Sequence, residues 1–293
     1  MLEMVGKREA SLAKIKAREI LASLRIAHPS EIEMDEIAWV RGALVREAPL
    51  EGAEGRLVRR GDRGIIAVKA SIREPGKKRF VIAHELGHFE LHSETNQLAL
   101  CTDKDLLYWY RRVRPEENDA NEFAAELLMP DTLFSPRCGA GQPSLDLVEA
   151  LAEDFRTTLT ATALRYMEFC SHRCAIAISE DGAIKWYRAA DDFGYRLEVG
   201  AKLHPNSHAI DFFNGKQIPQ AIRPVLASAW ITGEKLNPDA IVKEHSKALA
   251  RYNAVLTLLW IDKDIDDLSS LDEEEEPEYD PDYFTPDGKR WRW

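Results

Sequence analysis

Two histidines four positions apart, His84 and His88, with Glu85 directly after the first, lie in the run Phe80-Val81-Ile82-Ala83-His84-Glu85-Leu86-Gly87-His88-Phe89-Glu90-Leu91-His92. No other stretch restricts the fold as much. On a helix of 3.6 residues per turn, positions i and i+4 project from one face a turn apart, so both imidazoles reach one point with the glutamate beside it. Apolar Val81, Ile82, Ala83, Leu86 and Phe89 give a core-packed flank, and no proline interrupts it. The run therefore predicts a buried helix whose imidazoles converge on a metal ion, zinc above all, with Glu85 placed as a base on water at an open position. The spacing alone arises by chance in about one chain in a hundred of this length, so its apolar context carries the inference. The competing reading is a pair of histidines on an exposed helix face.

A catalytic zinc takes three protein ligands and keeps one position open. A histidine six residues after His88, with a glycine three residues after it, would complete one known ligand set, but Glu94 and Leu91 occupy those positions. His92 continues the four-residue series, yet eight residues of helix carry it about 12 Å along the axis from His84. It is expected at the helix end or behind the ligands. The third ligand should be a carboxylate from the helix predicted over 116–129, which is acidic at its start, as the helix dipole prefers, and stopped by Pro130. Ala120, Phe123, Ala124, Leu127 and Leu128 form its buried stripe. Among Glu116, Glu117, Asp119, Glu122 and Glu126, the last two read as solvated-face charges, whereas Glu117 shares a face with Asn121 and Ala124. Glu117 is the expected ligand. The chemistry so defined is zinc-assisted hydrolysis with Glu85 transferring the proton.

The strand-like run 65–70 precedes the metal helix, and Ile66, Ala67 and Val68 are expected to hold an extended peptide against an edge strand. Tyr108 and Tyr110, in an aromatic stretch of the 93–115 segment, either cover the cleft or anchor a loop. Tyr108, Tyr110, Arg165 and His172 stand as unranked candidates for stabilising an oxyanion.

The chain has 293 residues, 45 % hydrophobic and 30 % charged, which suits a globular protein with room for two domains. No run of eighteen apolar residues occurs, and 1–26 reads as an amphipathic helix rather than a signal peptide, so a cytoplasmic protein without membrane association is expected. The net charge of −11 opposes phosphate-driven binding of nucleic acid, and eight of the eleven residues 272–282 are acidic. Four cysteines, Cys101, Cys138, Cys170 and Cys174, are too few for a disulfide framework. A second metal at Cys170 and Cys174 is set aside, because Cys174 opens an alternating apolar run that suits a strand core.

Helices are expected over 31–44, 145–155 and 159–169, with hairpins around Gly52, Gly55, Gly61 and Gly64. The 144–169 segment forms a helix-turn-helix-like pair. Its turn, Arg156-Thr157-Thr158, lacks the frequent glycine, and Asp146, Glu149, Glu153 and Asp154 would repel phosphate, so the pair reads as structural and direct DNA binding is not expected. From Cys174 the pattern changes to period two, with a hairpin across Asp181-Gly182, further strands at 195–199 and 254–261, and a helix at 207–213. The expected fold class is α+β. A zincin-like helical metallopeptidase domain with a small edge sheet spans 1–170, a smaller mixed α/β domain for regulation or recruitment spans 171–271, and 272–293 is an acidic tail.

Arg-Phe-Val-Ile-Ala-His-Glu-Leu-Gly-His-Phe-Glu-Leu-His at 79–92, followed by Glu117-Asn118-Asp119-Ala120-Asn121-Glu122-Phe123-Ala124-Ala125-Glu126-Leu127-Leu128-Met129-Pro130, resembles the ImmA/IrrE family of metallopeptidases. Its members pair the H-E-x-x-H helix with a later helix reading roughly E-x-x-A-N-x-F-A-x-x-L-L-M-P. The similarity runs from about residue 30 to 168. It implies a zinc endopeptidase with a gluzincin-like third ligand, acting on a helix-turn-helix transcriptional repressor and switching on stress or mobile-element genes. Two departures stand out: Lys69 where asparagine is frequent, and Arg156-Thr157-Thr158 where Gly-Val-Ser is usual. The second domain only weakly resembles the sensor-like C-terminal domain of the IrrE branch. The alternative class is a non-catalytic zinc-containing regulator or DNA-binding sensor. Glu85 speaks against it, because a structural site closes with a fourth protein ligand and has no use for a base. A third reading, a zinc hydrolase of small amides, is disfavoured by the strand ahead of the metal helix.

Overall fold

The computed structural model of the protein describes residues 10–92, 100–101, 114–139, 141–232 and 236–262. Helix α1 (Leu12–Ser23) begins at Ser11, whose hydroxyl accepts the Lys14 amide, and buries Ala13, Ala17, Ile20 and Leu21. Helix α2 (Met34–Val40) is shorter than the 31–44 expected, because the chain turns at Gly42 into strand β1 (Ala43–Ala48). Strands β2 (Gly55–Arg60) and β3 (Arg63–Lys69) form a hairpin, helix α3 (Pro75–Leu91) follows, and β4 (Leu100–Cys101) completes a sheet of order β1-β3-β2-β4.

That order corrects one expectation. β3, which contains the 65–70 run, is an interior strand: Ala67 pairs with Arg46 of β1 on one side and with Arg56 of β2 on the other. Both of its main-chain edges are taken, and Ile66 and Val68 are completely buried. Ile66, Ala67 and Val68 are thus sheet and core residues and cannot hold an added strand.

Helix α4 (Pro115–Leu128) packs on α3 and leads through α5 (Asp131–Cys138) to α6 (Leu145–Phe155) and α7 (Leu159–Met167). Ser144 and Thr158 cap the last two by accepting the amides of Leu147 and Ala161. Between them Arg156 adopts the left-handed conformation, φ 54°, that favours glycine. Its guanidinium compensates by donating to the carbonyls of Ser30 and Ile32 at 3.1 and 2.9 Å and to Glu33 at 2.7 Å. Thr162 through Met167 are all buried, so most of α7 packs into the core.

The remaining strands, β5 (Arg173–Glu180), β6 (Ala183–Ala189), β7 (Arg223–Leu226), β8 (Ile241–Leu249) and β9 (Ala254–Ile261), form an antiparallel sheet of order β6-β5-β9-β8-β7. The β5–β6 turn has positive φ at both Asp181 and Gly182, as the tight hairpin requires. One face of the sheet, with Cys174, Ile176, Ile178, Trp186, Leu256 and Leu258, joins the core of the preceding helices. The other, with Ala175, Ala177, Val255 and Leu259, packs with Phe193, Leu197 and Trp230 in a second core.

Residues 195–199 contribute Leu197 to that core as irregular chain rather than as a strand, and the helix expected at 207–213 is the single turn α8 (Ile210–Phe213). β8 has no apolar alternation, since Glu244, His245 and Ser246 are buried within it. Glu244 is satisfied there by the amides of His208 and Ala209 at 3.1 and 2.7 Å and the Trp230 indole N–H at 2.8 Å. No helix among the described residues is long and apolar enough to cross a membrane.

Candidate metal centre

Pro75 occupies the first turn of α3, where its missing N–H costs nothing, and the helix then runs unbroken past His88. The Nε2 atoms of His84 and His88 face each other at 3.1 Å. Glu117 Oε2 of α4 lies 3.3 and 3.5 Å from them. His84, His88 and Glu117 are 1 %, 6 % and 8 % exposed. Two ring nitrogens and one carboxylate oxygen thus share a small, nearly dry volume, and Glu117 Oε2 has no regular hydrogen-bond partner. Nitrogen and oxygen donors converging in this way fit a divalent cation such as zinc. Among the described residues this is the one such group, and it has three members.

Supporting contacts orient the rings. His84 Nδ1 is 2.9 Å from Asn121 Oδ1, so Nδ1 carries the proton that the amide oxygen accepts, and Nε2 is the nitrogen directed at the centre. His88 Nδ1 lies 3.1 Å from His92 Nδ1, and His92 Nε2 is 3.8 Å from Asp119 Oδ2. His92 stands behind a ligand, as its spacing predicts. Asn121 was legible only as sharing a face with Glu117, one turn away; its role follows from the packing.

Glu85 is completely buried, and neither carboxylate oxygen makes a regular hydrogen bond. Burial first, and the Glu117 charge second, push its pKa up to about 8, tempered by the Leu57 amide of β2. A cation at the three donors acts in the opposite direction and favours the ionised base. Burial also raises Glu117, but hydrogen bonding and charge from His84 and His88 outweigh it and hold that carboxyl far below the usual range. The main chain of β2 runs close to Glu85: a Cβ added at Gly55 would come within 2.5 Å of Glu85 Oε1. Only glycine leaves that carboxylate its place, a requirement no motif in the sequence announces. At Gly87 a Cβ would meet Ala120 Cα at 3.1 Å, so the missing side chain lets α4 bring Glu117 up to α3.

The other candidates lie elsewhere. Glu116 is exposed. Glu126, read from sequence as a solvated-face charge, is completely buried and paired with Arg165 at 2.6 Å and Arg18 at 2.7 Å. Arg165 is consumed by that pair, by Glu168 and by the Met129 carbonyl, and so is not available to an oxyanion. His172 packs edge-on against Trp260 of β9, with ring centroids 6.0 Å apart. Tyr108 and Tyr110 lie outside the described residues.

Two imidazoles from one helix and a carboxylate from the next, with a buried glutamate between the imidazoles in sequence, define the class of gluzincin-like metal centres. Residues 40–167 match the family model Peptidase_M78, the IrrE N-terminal-like domain. That segment is similar to the ImmA/IrrE family of peptidases. No curated protein matches the chain. Among solved structures, the fold is similar to that of a Mycobacterium tuberculosis transcriptional regulator, with a TM-score of 0.52 and 15 % identity over 85 % of this chain and 75 % of that one.

Proposed function

We propose that the protein is a cytoplasmic zinc-dependent endopeptidase, and that its substrate is a helix-turn-helix transcriptional repressor whose cleavage switches on stress or mobile-element genes. The observation that carries this reading is the convergence of His84, His88 and Glu117 beside the completely buried Glu85. Zinc held by those three residues would polarise the scissile carbonyl and lower the pKa of the attacking water. Glu85 accepts the water's proton at its carboxylate and delivers it to the leaving amide nitrogen. Asn121 and His92 hold the imidazoles in the tautomers that leave Nε2 free.

Among the described residues the donor set has three members, which supports catalysis over a purely structural zinc with its fourth protein ligand. The 171–271 region is assigned to regulation or recruitment, since every residue with a chemical role precedes residue 130. The fold-level likeness of the whole chain to a transcriptional regulator fits a regulatory setting. Incubating candidate repressors with zinc-loaded wild type and with Glu85→Gln tests the reading. A defined cut made by the wild type alone is expected; repressors left intact by the wild type but bound and released in a metal-dependent way would favour the non-catalytic alternative.

A further inference from the structure

We propose that Cys170 and Cys174 form a modification site at which a hydroperoxide closes an intramolecular disulfide. Their Sγ atoms lie 3.6 Å apart, in contact but unbonded. The main chain holds both partners: the Cys170 amide donates to the Tyr166 carbonyl at 2.9 Å, closing the end of α7, and Cys174 is the second residue of β5, paired with Trp260. Bonding requires the two sulfurs to close to about 2.05 Å.

The two thiols are unlike each other. Cys170 is half-buried and reachable from solvent, whereas Cys174 is completely buried. The Tyr166 hydroxyl is buried without a regular hydrogen-bond partner and lies beside the Cys170 sulfur. Hydrogen bonding from the Cys174 thiol, and then from the main chain and Tyr166, holds Cys170 below the usual thiol range in spite of its burial. Cys174 is held above that range, first by the same contact and then by burial. An accessible thiolate backed by a protonated neighbour is the arrangement of an attacking and a resolving cysteine. Cys138, by contrast, donates to the Phe134 carbonyl at 3.4 Å, and burial pushes its thiol up to about 12.

In the first step the Cys170 thiolate attacks one peroxide oxygen. The O–O bond breaks, two electrons leave sulfur, and hydroxide departs to be protonated to water, leaving a sulfenic acid at Cys170. The Cys174 sulfur then attacks that sulfur, the S–S bond forms, and the S–O bond breaks. The departing hydroxide takes the Cys174 proton as a second water. Two thiols restore both cysteines by exchange, the first forming a mixed disulfide and the second displacing it, so that they leave as their own disulfide.

The test treats the full chain with hydrogen peroxide, alkylates the remaining thiols and digests with trypsin without reductant. Cleavage after Arg173 places Cys170 and Cys174 on separate peptides. A linked pair, lighter by two hydrogens and released by dithiothreitol, is expected, with loss of two of the four free thiols. In Cys174→Ser, confirmed as folded by circular dichroism, the sulfenic acid should persist at Cys170 and be trapped by dimedone. The proposal is overturned if Cys170 remains freely alkylated after peroxide, if it passes to sulfinic acid in the wild type while Cys174 stays reduced, or if Cys138 is the residue linked. Cys170→Ser gives a second check, because Cys174 should then resist peroxide.

Discussion

A single amide decides which nitrogen of His84 faces the metal centre. Because Asn121 Oδ1 accepts the Nδ1 proton, Nε2 presents a lone pair where His88 and Glu117 converge. Replacing such a supporting partner typically lowers metal affinity by about 10- to 100-fold. Asn121→Ala should show that loss in zinc competition against a chelator, whereas Asn121→Asp, which keeps an acceptor, should bind within a few-fold of wild type. Equal affinity for Asn121→Ala would remove the orienting role. Glu117→Gln should lose more than Asn121→Ala in the same titration, because it alters a ligand rather than a support. His84, Glu85, His88 and Glu117 were readable because helical periodicity places them without reference to the rest of the fold. Asn121 and Gly55 act across elements, through an imidazole on one and a carboxylate on the other, and spacing along the chain is silent about such contacts.

At the scale of elements, the Arg18–Glu126–Arg165 network ties α1, α4 and α7 together. Glu126 looked like a surface charge because its partners stand 108 and 39 residues away. Removing it leaves the buried Arg165 with Glu168 as its remaining counter-charge, so Glu126→Ala should cost about 3 kcal/mol of stability in denaturant unfolding. Burial raises the Glu126 pKa, but the hydrogen bond from Arg18 and the charges of Arg165 and Arg18 prevail and hold it below the ordinary carboxylate value of 4.5. A carboxyl whose folded pKa is depressed stabilises the fold fully above the unfolded value and loses that contribution as the pH falls through the folded one. Wild type should therefore lose melting temperature below that pH more steeply than Glu126→Gln; parallel curves would show that the pair does not contribute. Elements with a clean period, such as α3, α4, α6 and the β5–β6 hairpin, were legible in the sequence. β1 was not, since Ala-Leu-Val-Arg-Glu-Ala also continues a helix. Nor was β8, whose interior Glu244 and His245 are stabilised by loops that only the tertiary fold brings to them.

Over the whole molecule, the second sheet does more than follow the first half. Its inner face, with Ile176, Ile178, Trp186, Leu256 and Leu258, covers the core that also holds α6 and α7. Each such buried side chain is worth about 1.5–3 kcal/mol, so together they approach the whole margin of about 5–15 kcal/mol that a domain has. A chain ending after residue 170 keeps His84, Glu85, His88 and Glu117 and should still take up zinc, but with a much lower melting temperature and a tendency to aggregate. A folded but zinc-free truncation would mean that the C-terminal half supplies a group the centre needs, with His172 the first residue to test. The account as a whole turns on Glu85 acting as a base rather than as a ligand or a packing residue. The direct measurement is the appearance of new N-termini in a proteome-derived peptide library exposed to wild type and to Glu85→Gln, with zinc content determined on the same samples. The account predicts equal zinc in both proteins and new N-termini from the wild type alone; equal cleavage by a zinc-loaded Glu85→Gln would contradict it.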